Sequence, residues 1–285
     1  MKTVLPDFYG KFECKAGACN HSCCKGWEID VDEGSFSYYK SLSNGFGKKI
    51  CENIFTDEEG AHFRLTADER CPFLRDDNLC EMILTLGEDS LCDICALHPR
   101  FYEDYKEYEL AGVGLSCEKV CELLWEEDNP LRFFVLNEAK ENSSDTFSFF
   151  AQEKTYAPNI EASYVSSLLT LFQKTEPIDE NWTKEMEALV KEKECVLQKA
   201  EQYETAFDSA RYQRLFQYIC YRQLEFISDP DLLLTYATRC TDFIFLTDAY
   251  FGDTLERIRR FSEQIEYSTK NVDIILEDNL TFSAK

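Results

Sequence analysis

Eleven of the fourteen cysteines lie before Glu122, and their types and spacing are the chain's main source of chemistry. A first cluster is Cys14, Cys19, Cys23 and Cys24, followed by Lys25-Gly26-Trp27; a second is Cys71, Cys80, Cys92 and Cys95, with Cys117 after a short connection. Cys92-Asp93-Ile94-Cys95 is the tightest pair, in which one turn presents two thiolates to one ion. The more distant cysteines can then close the coordination sphere from other segments. Adjacent Cys23 and Cys24 cannot bond each other without strain, so they are expected to face different partners. These nine are the expected metal ligands. Cys51 and Cys121 read as plain buried thiols.

Three metal chemistries compete. Structural zinc usually shows two short C-x-x-C knuckles per site, and only Cys92 with Cys95 supplies one. The compact C-x2-C-x2-C run of a bacterial ferredoxin is absent. A [4Fe-4S] cluster on dispersed thiolates fits the softness of the donors, and on spacing alone it stands level with zinc. A thioredoxin-like site at Cys92–Cys95 lacks its βαβ context. Secreted disulfides fail on density, since 14 cysteines in 285 residues is about 5%, below the roughly 8–10% of disulfide scaffolds. His98 precedes a proline and should sit in extended backbone near Cys95, suited to ligating the metal, to hydrogen-bonding behind a ligand, or to a purely structural role. His21 and His62 are weaker candidates.

The formal net charge of -24 repels phosphate, so nucleic acid is excluded as a partner. The plain reading of that charge is a solvated acidic surface, although it would also attract a basic protein face. The first ten residues carry no apolar stretch of signal-peptide length, and no run reaches transmembrane length, so a cytoplasmic protein without membrane attachment is expected. A reducing compartment keeps thiols available for metal.

The elements that must position these groups fall into two regions. Residues 1–128 form an irregular, glycine-punctuated, cysteine-rich region with room for short helices and a minor ribbon; residues 129–285 form a helical domain. Tyr212, Leu215, Phe216, Ile219, Cys220, Phe226 and Ile227 return to one helical face. The next helix starts at Asp229-Pro230 and is apolar nearly all round, so it should be central. Trp182 to about Ala206 and Asp253 to about Tyr267 read as peripheral helices. Cys195, Cys220 and Cys240 lie inside such helices as small hydrophobes. The stretch around Glu141-Asn142-Ser143-Ser144-Asp145 reads as an exposed connection. The fold class is therefore mainly α, an irregular metal-organised cysteine-rich N-terminal region packed on a C-terminal helical domain.

Cys23-Cys24-x-Gly26-Trp27, Cys71-Pro72-Phe73-Leu74 through Leu79-Cys80, the Leu86-Gly87 and Leu91-Cys92 steps, and Pro99-Arg100-Phe101 together resemble the flagellin lysine-N-methylase family. More distantly they are similar to small zinc- or iron-chelating cysteine-cluster domains. The resemblance covers about the first 120 residues. His98 stands where the family pattern has tyrosine, and Glu118-Lys119 follow Cys117 in place of Pro-Glu. The resemblance implies transfer of a methyl group from S-adenosylmethionine to flagellin lysines, with an associated iron–sulfur cluster, and it tips the choice from zinc toward iron.

No glycine-rich βα turn of the common methyltransferase fold is visible. Cys19-x3-Cys23 continues to Gly26 where a radical-type C-x3-C-x2-C run needs cysteine. A lysine of reference pKa near 10.4 must still lose its proton before attacking the sulfonium methyl, which requires desolvation and an acceptor. The sequence does not single out that catalytic group. For S-adenosylmethionine, Arg100 could clamp its carboxylate and Trp27 could stack on it, against the plainer readings of a structural salt bridge and of a ring packed beside the paired cysteines. Two rivals stand beside the enzyme: a non-catalytic metal or iron–sulfur carrier, and a structural zinc-binding interaction protein.

Overall fold

The computed structural model describes residues 2–136 and 142–277. The chain divides into two compact units, Glu13–Phe101 and a larger one made of Met1–Phe12 with Tyr102–Lys285. The division falls inside the cysteine-rich stretch: Cys117 and Cys121 belong to the larger unit and the nine cysteines from Cys14 to Cys95 to the smaller.

Strand β1 (Lys2–Pro6) opens the chain, and the smaller unit follows with α1 (Glu33–Ser41), α2 (Gly45–Glu52), a ribbon of β2 (Ile54–Thr56) and β3 (Ala61–Phe63), α3 (Glu81–Leu86) and α4 (Asp93–Leu97). Each helix is short, and the first two carry side-chain caps. Asp32 accepts the Ser35 N–H at the start of α1, and Asn44 accepts the Gly47 N–H at the start of α2. The buried apolar core of this unit is nine residues among those described: Ile29, Val31, Tyr39, Ile50, Phe63, Cys71, Phe73, Met82 and Cys92. At roughly 1.5–3 kcal/mol per fully buried large side chain, so small a core gains much from any further tie between its segments.

The larger unit contains a five-stranded sheet that the sequence reading did not anticipate. After β4 (Arg100–Tyr105) and β5 (Tyr108–Val113) come α5 (Glu118–Glu126), β6 (Phe133–Leu136) and β7 (Asn142–Phe147), and the sheet order is β4-β5-β1-β6-β7. β1 runs parallel to β5, with Val4 opposite Leu110, and antiparallel to β6, with Pro6 opposite Phe133. Asn142–Asp145, read as an exposed connection, is strand backbone in β7, and Glu141 lies outside the described residues.

Helices α6 (Ala162–Gln173), α7 (Glu180–Lys191), α8 (Lys193–Glu204), α9 (Ser209–Arg222), α10 (Pro230–Phe251), α11 (Thr254–Phe261) and α12 (Thr269–Glu277) complete this unit. Helix α10 is central, as its apolar surface requires: Asp229 caps it, Pro230 occupies its first turn, and most of it is buried. Helix α9 faces the sheet, where Tyr221 donates to the Val4 and Ala111 carbonyls and Tyr218 to that of Val113. It stops at Arg222, short of the expected face, and Phe226 is 66% exposed. The single helix expected over 182–206 is two, broken at Glu192. Helix α11 is not peripheral, since Ile258, Arg259, Arg260 and Phe261 are buried. The chain is thus mainly helical with a mixed sheet, and among the described residues no helix is long and apolar enough to cross a membrane.

Candidate metal centre

Six cysteines from three stretches of the smaller unit come together around its core. The Cys71 N–H donates to the Cys24 carbonyl at 2.8 Å, beside a bridge between Lys25 and Arg70, so the Cys23-Cys24 segment runs along the one that starts at Cys71. A second bridge joins Leu74 to Cys80, and the Glu81 N–H donates to the Phe73 carbonyl, which folds Cys80 back toward Cys71 at the start of α3. Cys92 immediately precedes α4, and Cys95 lies one turn on, its N–H donating to the Cys92 carbonyl at 3.0 Å. Tyr39 anchors this approach from the core by donating to the Ser90 carbonyl at 2.7 Å. Cys71 and Cys92 are buried, Cys24, Cys80 and Cys95 are half-buried, and Cys23 is exposed.

The thiols sense one another. A hydrogen bond from Cys23 lowers the Cys24 pKa to about 7, and one from Cys95 lowers Cys92. Cys95 is raised by that same bond, by burial and by charge on Cys92, Cys24 and Cys71. Burial pushes Cys71 up to about 12, and charge on Cys24, Cys80 or Cys92 adds to the shift; burial also raises Cys80. Thiols packed this way cannot all ionise on their own, because each new thiolate repels the last. A bound cation reverses the sign of that interaction and deprotonates them together. No disulfide joins any of the fourteen cysteines, all of which lie among the described residues.

Cys14 and Cys19 lie on a loop whose Gly17 sits against the turn leading into Cys80. A side chain there would come within 3.0 Å of the Asp77 carbonyl and 3.2 Å of Leu79, so glycine lets the loop approach closely. Cys14 is exposed and its Sγ accepts the Ala16 N–H, while the Cys19 thiol donates to the His21 carbonyl. Cys117 caps α5 in the larger unit, near Cys121, whose buried thiol donates to the Leu115 carbonyl at 3.0 Å. Cys51 lies in α2, half-buried beside the small core. Cys220 and Cys240 are buried within α9 and α10.

Trp27 is fixed to this assembly, its Nε1–H donating to the Cys23 carbonyl at 2.6 Å and its ring lying 6.2 Å from that of His98 at 30°. His98 leaves α4 in the extended backbone that its proline neighbour imposes (φ −56°, ψ 133°). Burial pulls its imidazole down to about 4, so the ring is neutral. Its Nε2 is buried and has no hydrogen-bond partner. A buried, unsatisfied nitrogen three residues after Cys95 is a donor that a soft metal group could use. Arg100 opens β4, half-buried.

One constellation was passed over in the sequence. His62, buried on β3, places Nδ1 3.0 Å from Asp30 and 3.3 Å from Glu28, and Nε2 3.1 Å from Asp57. The signal was the alternation Glu28-Ile29-Asp30, which puts both carboxylates on one side of extended chain with Ile29 in the core. Among the described residues Glu28, Asp30 and His62 are the only trio of such ligand atoms within 4.8 Å of one another.

The chain is similar to the flagellar biosynthetic protein FliU of Salmonella muenchen, 28% identical over 160 residues that cover 53% of this chain and 93% of that protein. It is also similar to the lysine-N-methylases of Salmonella typhimurium and Salmonella choleraesuis, 31% identical over 121 residues in each case, or 40% of this chain. That match spans only 30% of each methylase. No family model and no solved structure matches the chain.

Proposed function

We propose that this chain is a lysine N-methyltransferase acting on flagellin with S-adenosylmethionine, and that a [4Fe-4S] cluster is held in its smaller unit by Cys24, Cys71, Cys80, Cys92 and Cys95 or a subset of them. The observation that carries the metal reading is the convergence of these thiols in a core of nine apolar residues. The methylase names of two relatives support the reaction, and those names with that of the flagellar relative support the substrate.

Iron–sulfur is favoured over zinc by the resemblance of the cysteine motifs, and soft thiolate donors suit it. When bound, the cluster would supply a covalent tie between segments that otherwise share few apolar contacts.

In the methyl transfer, a neutral lysine nitrogen attacks the sulfonium methyl, the carbon–sulfur bond breaks to leave a neutral thioether, and the amine gives up a proton. Two carboxyls, buried Asp242 and half-buried Glu103, are pushed up to about 7, mainly by burial. Asp242 is occupied by the hydroxyls of Tyr156 and Tyr164. Glu103, on edge strand β4, has a buried Oε2 with no hydrogen-bond partner. Glu103 is therefore the residue assigned to accept the amine proton.

Exposure of Cys14 and Cys23 favours a second reading, a metal carrier that hands its cargo to a client. Incubating cluster-replete protein with flagellin and methyl-labelled S-adenosylmethionine separates the two. Label on flagellin lysines supports the methyltransferase. No label, with iron passing to an apo-acceptor instead, supports the carrier.

A further inference from the structure

One imidazole of the smaller unit has a buried ring nitrogen whose hydrogen bonding is incomplete. His98 stands three residues after Cys95, and its N–H closes the last turn of α4 on the Ile94 carbonyl at 3.2 Å. Residues three apart on a helical turn share a side, so the imidazole and the Cys95 thiol leave the backbone in related directions. From the other side the ring meets Trp27, which is tied through its indole N–H to Cys23. His98 thus lies between the turn that carries Cys92 and Cys95 and the segment that carries Cys23 and Cys24. A neutral imidazole has one donor and one acceptor nitrogen, and in this ring Nε2 is shut off from solvent with no partner.

We propose that His98 Nε2 is a ligand of the same metal group as Cys92 and Cys95, making the centre a mixed sulfur and nitrogen site. The inference rests on the metal reading above. Replacing one anionic thiolate by imidazole leaves the site one unit less negative, which raises its reduction potential relative to an all-cysteine cluster.

The test uses the full chain, purified anaerobically or reconstituted with ferrous iron and sulfide, labelled with 15N-histidine or left natural, and reduced for pulsed electron paramagnetic resonance. The expected result is a strong 14N coupling that becomes 15N on labelling and disappears in His98→Ala while His21 and His62 remain. In His98→Cys iron should be retained and the midpoint potential should fall. A reduced cluster with only weak backbone-type nitrogen couplings, or a strong coupling that survives His98→Ala, overturns the His98 assignment and leaves the metal reading intact. Protein that takes up no metal under either preparation overturns both.

Discussion

The carboxylate of Asp32 accepts the backbone N–H of Asp93 at 3.0 Å while its other oxygen accepts that of Ser35 at 2.8 Å. One side chain therefore caps both α1 and the short helix that carries the Cys92–Cys95 pair. Helix α4 is too brief to persist without such support. Asp32→Ala should cost about 1–2 kcal/mol for each lost cap and release the Cys92 turn. Urea unfolding should show the loss of stability, and the iron retained after gel filtration should fall; Asp32→Asn, which keeps an acceptor oxygen, should recover part of both.

His62 supplies a pH-dependent tie between β3 and the segment before α1. Burial alone would lower its pKa, but hydrogen bonds to Asp30 and Asp57, with the charge of Glu28, raise it above the usual 6.5. The Phe55 ring, 5.2 Å away, covers one face. Because the folded value exceeds the unfolded one, the stabilisation is complete below about 6.5 and is lost as pH rises through the folded value. Proton NMR titration should find the His62 imidazole still charged above the usual histidine range, and His62→Gln should flatten the decline in stability across neutral pH.

Asp242 has a dependence of the same sign in a more acidic window. Burial pushes its carboxyl up to about 7 in spite of the hydroxyls of Tyr156 and Tyr164 and the Asn159 N–H. The unfolded chain ionises this group near 3.8, so stability is fullest below that value and falls as pH rises toward 7, by on the order of a few kcal/mol. Chemical denaturation at pH values from about 4 to 8 should show this decline in the wild type and a smaller one in Asp242→Asn.

Glu103 faces Arg222, Glu225 and Glu266, with Tyr221 beside it. If it takes the amine proton, it must be ionised to act, so the methylation rate should rise with pH through about 7. Glu103→Gln should lower the rate by about 10²–10⁴-fold and remove that limb of the profile while leaving the iron content unchanged. An unaltered pH profile in this variant would reassign Glu103 to a structural role.

The parts of the fold that could be read from the sequence are those that local pattern specifies. Asp229-Pro230 and the apolar run after it mark α10 because a cap, a proline and a helical period occupy adjacent residues. The sheet could not be read in this way: β1 at Lys2–Pro6 pairs with Tyr108–Val113 and Phe133–Leu136, and nothing local in five residues announces partners a hundred positions away. For the same reason the smaller unit appears as an insertion between β1 and the rest of its sheet. At the candidate centre the sequence marked the cysteine-rich stretch through Cys92–Cys95 and the number of its thiols. Which thiols meet was not, since the pairing of Cys24 with Cys71 and the fold of Cys80 back to Leu74 are backbone events between distant segments.

Metal analysis of anaerobically purified protein tests the convergence of those thiols upon metal directly. Iron and acid-labile sulfide should be present in equal amounts, should be lost in Cys71→Ser and Cys80→Ser, and should be unaffected in Cys220→Ser, whose thiol is buried in α9. Protein that carries neither iron nor zinc, or that retains its full iron content when Cys71 and Cys80 are both replaced, would contradict it.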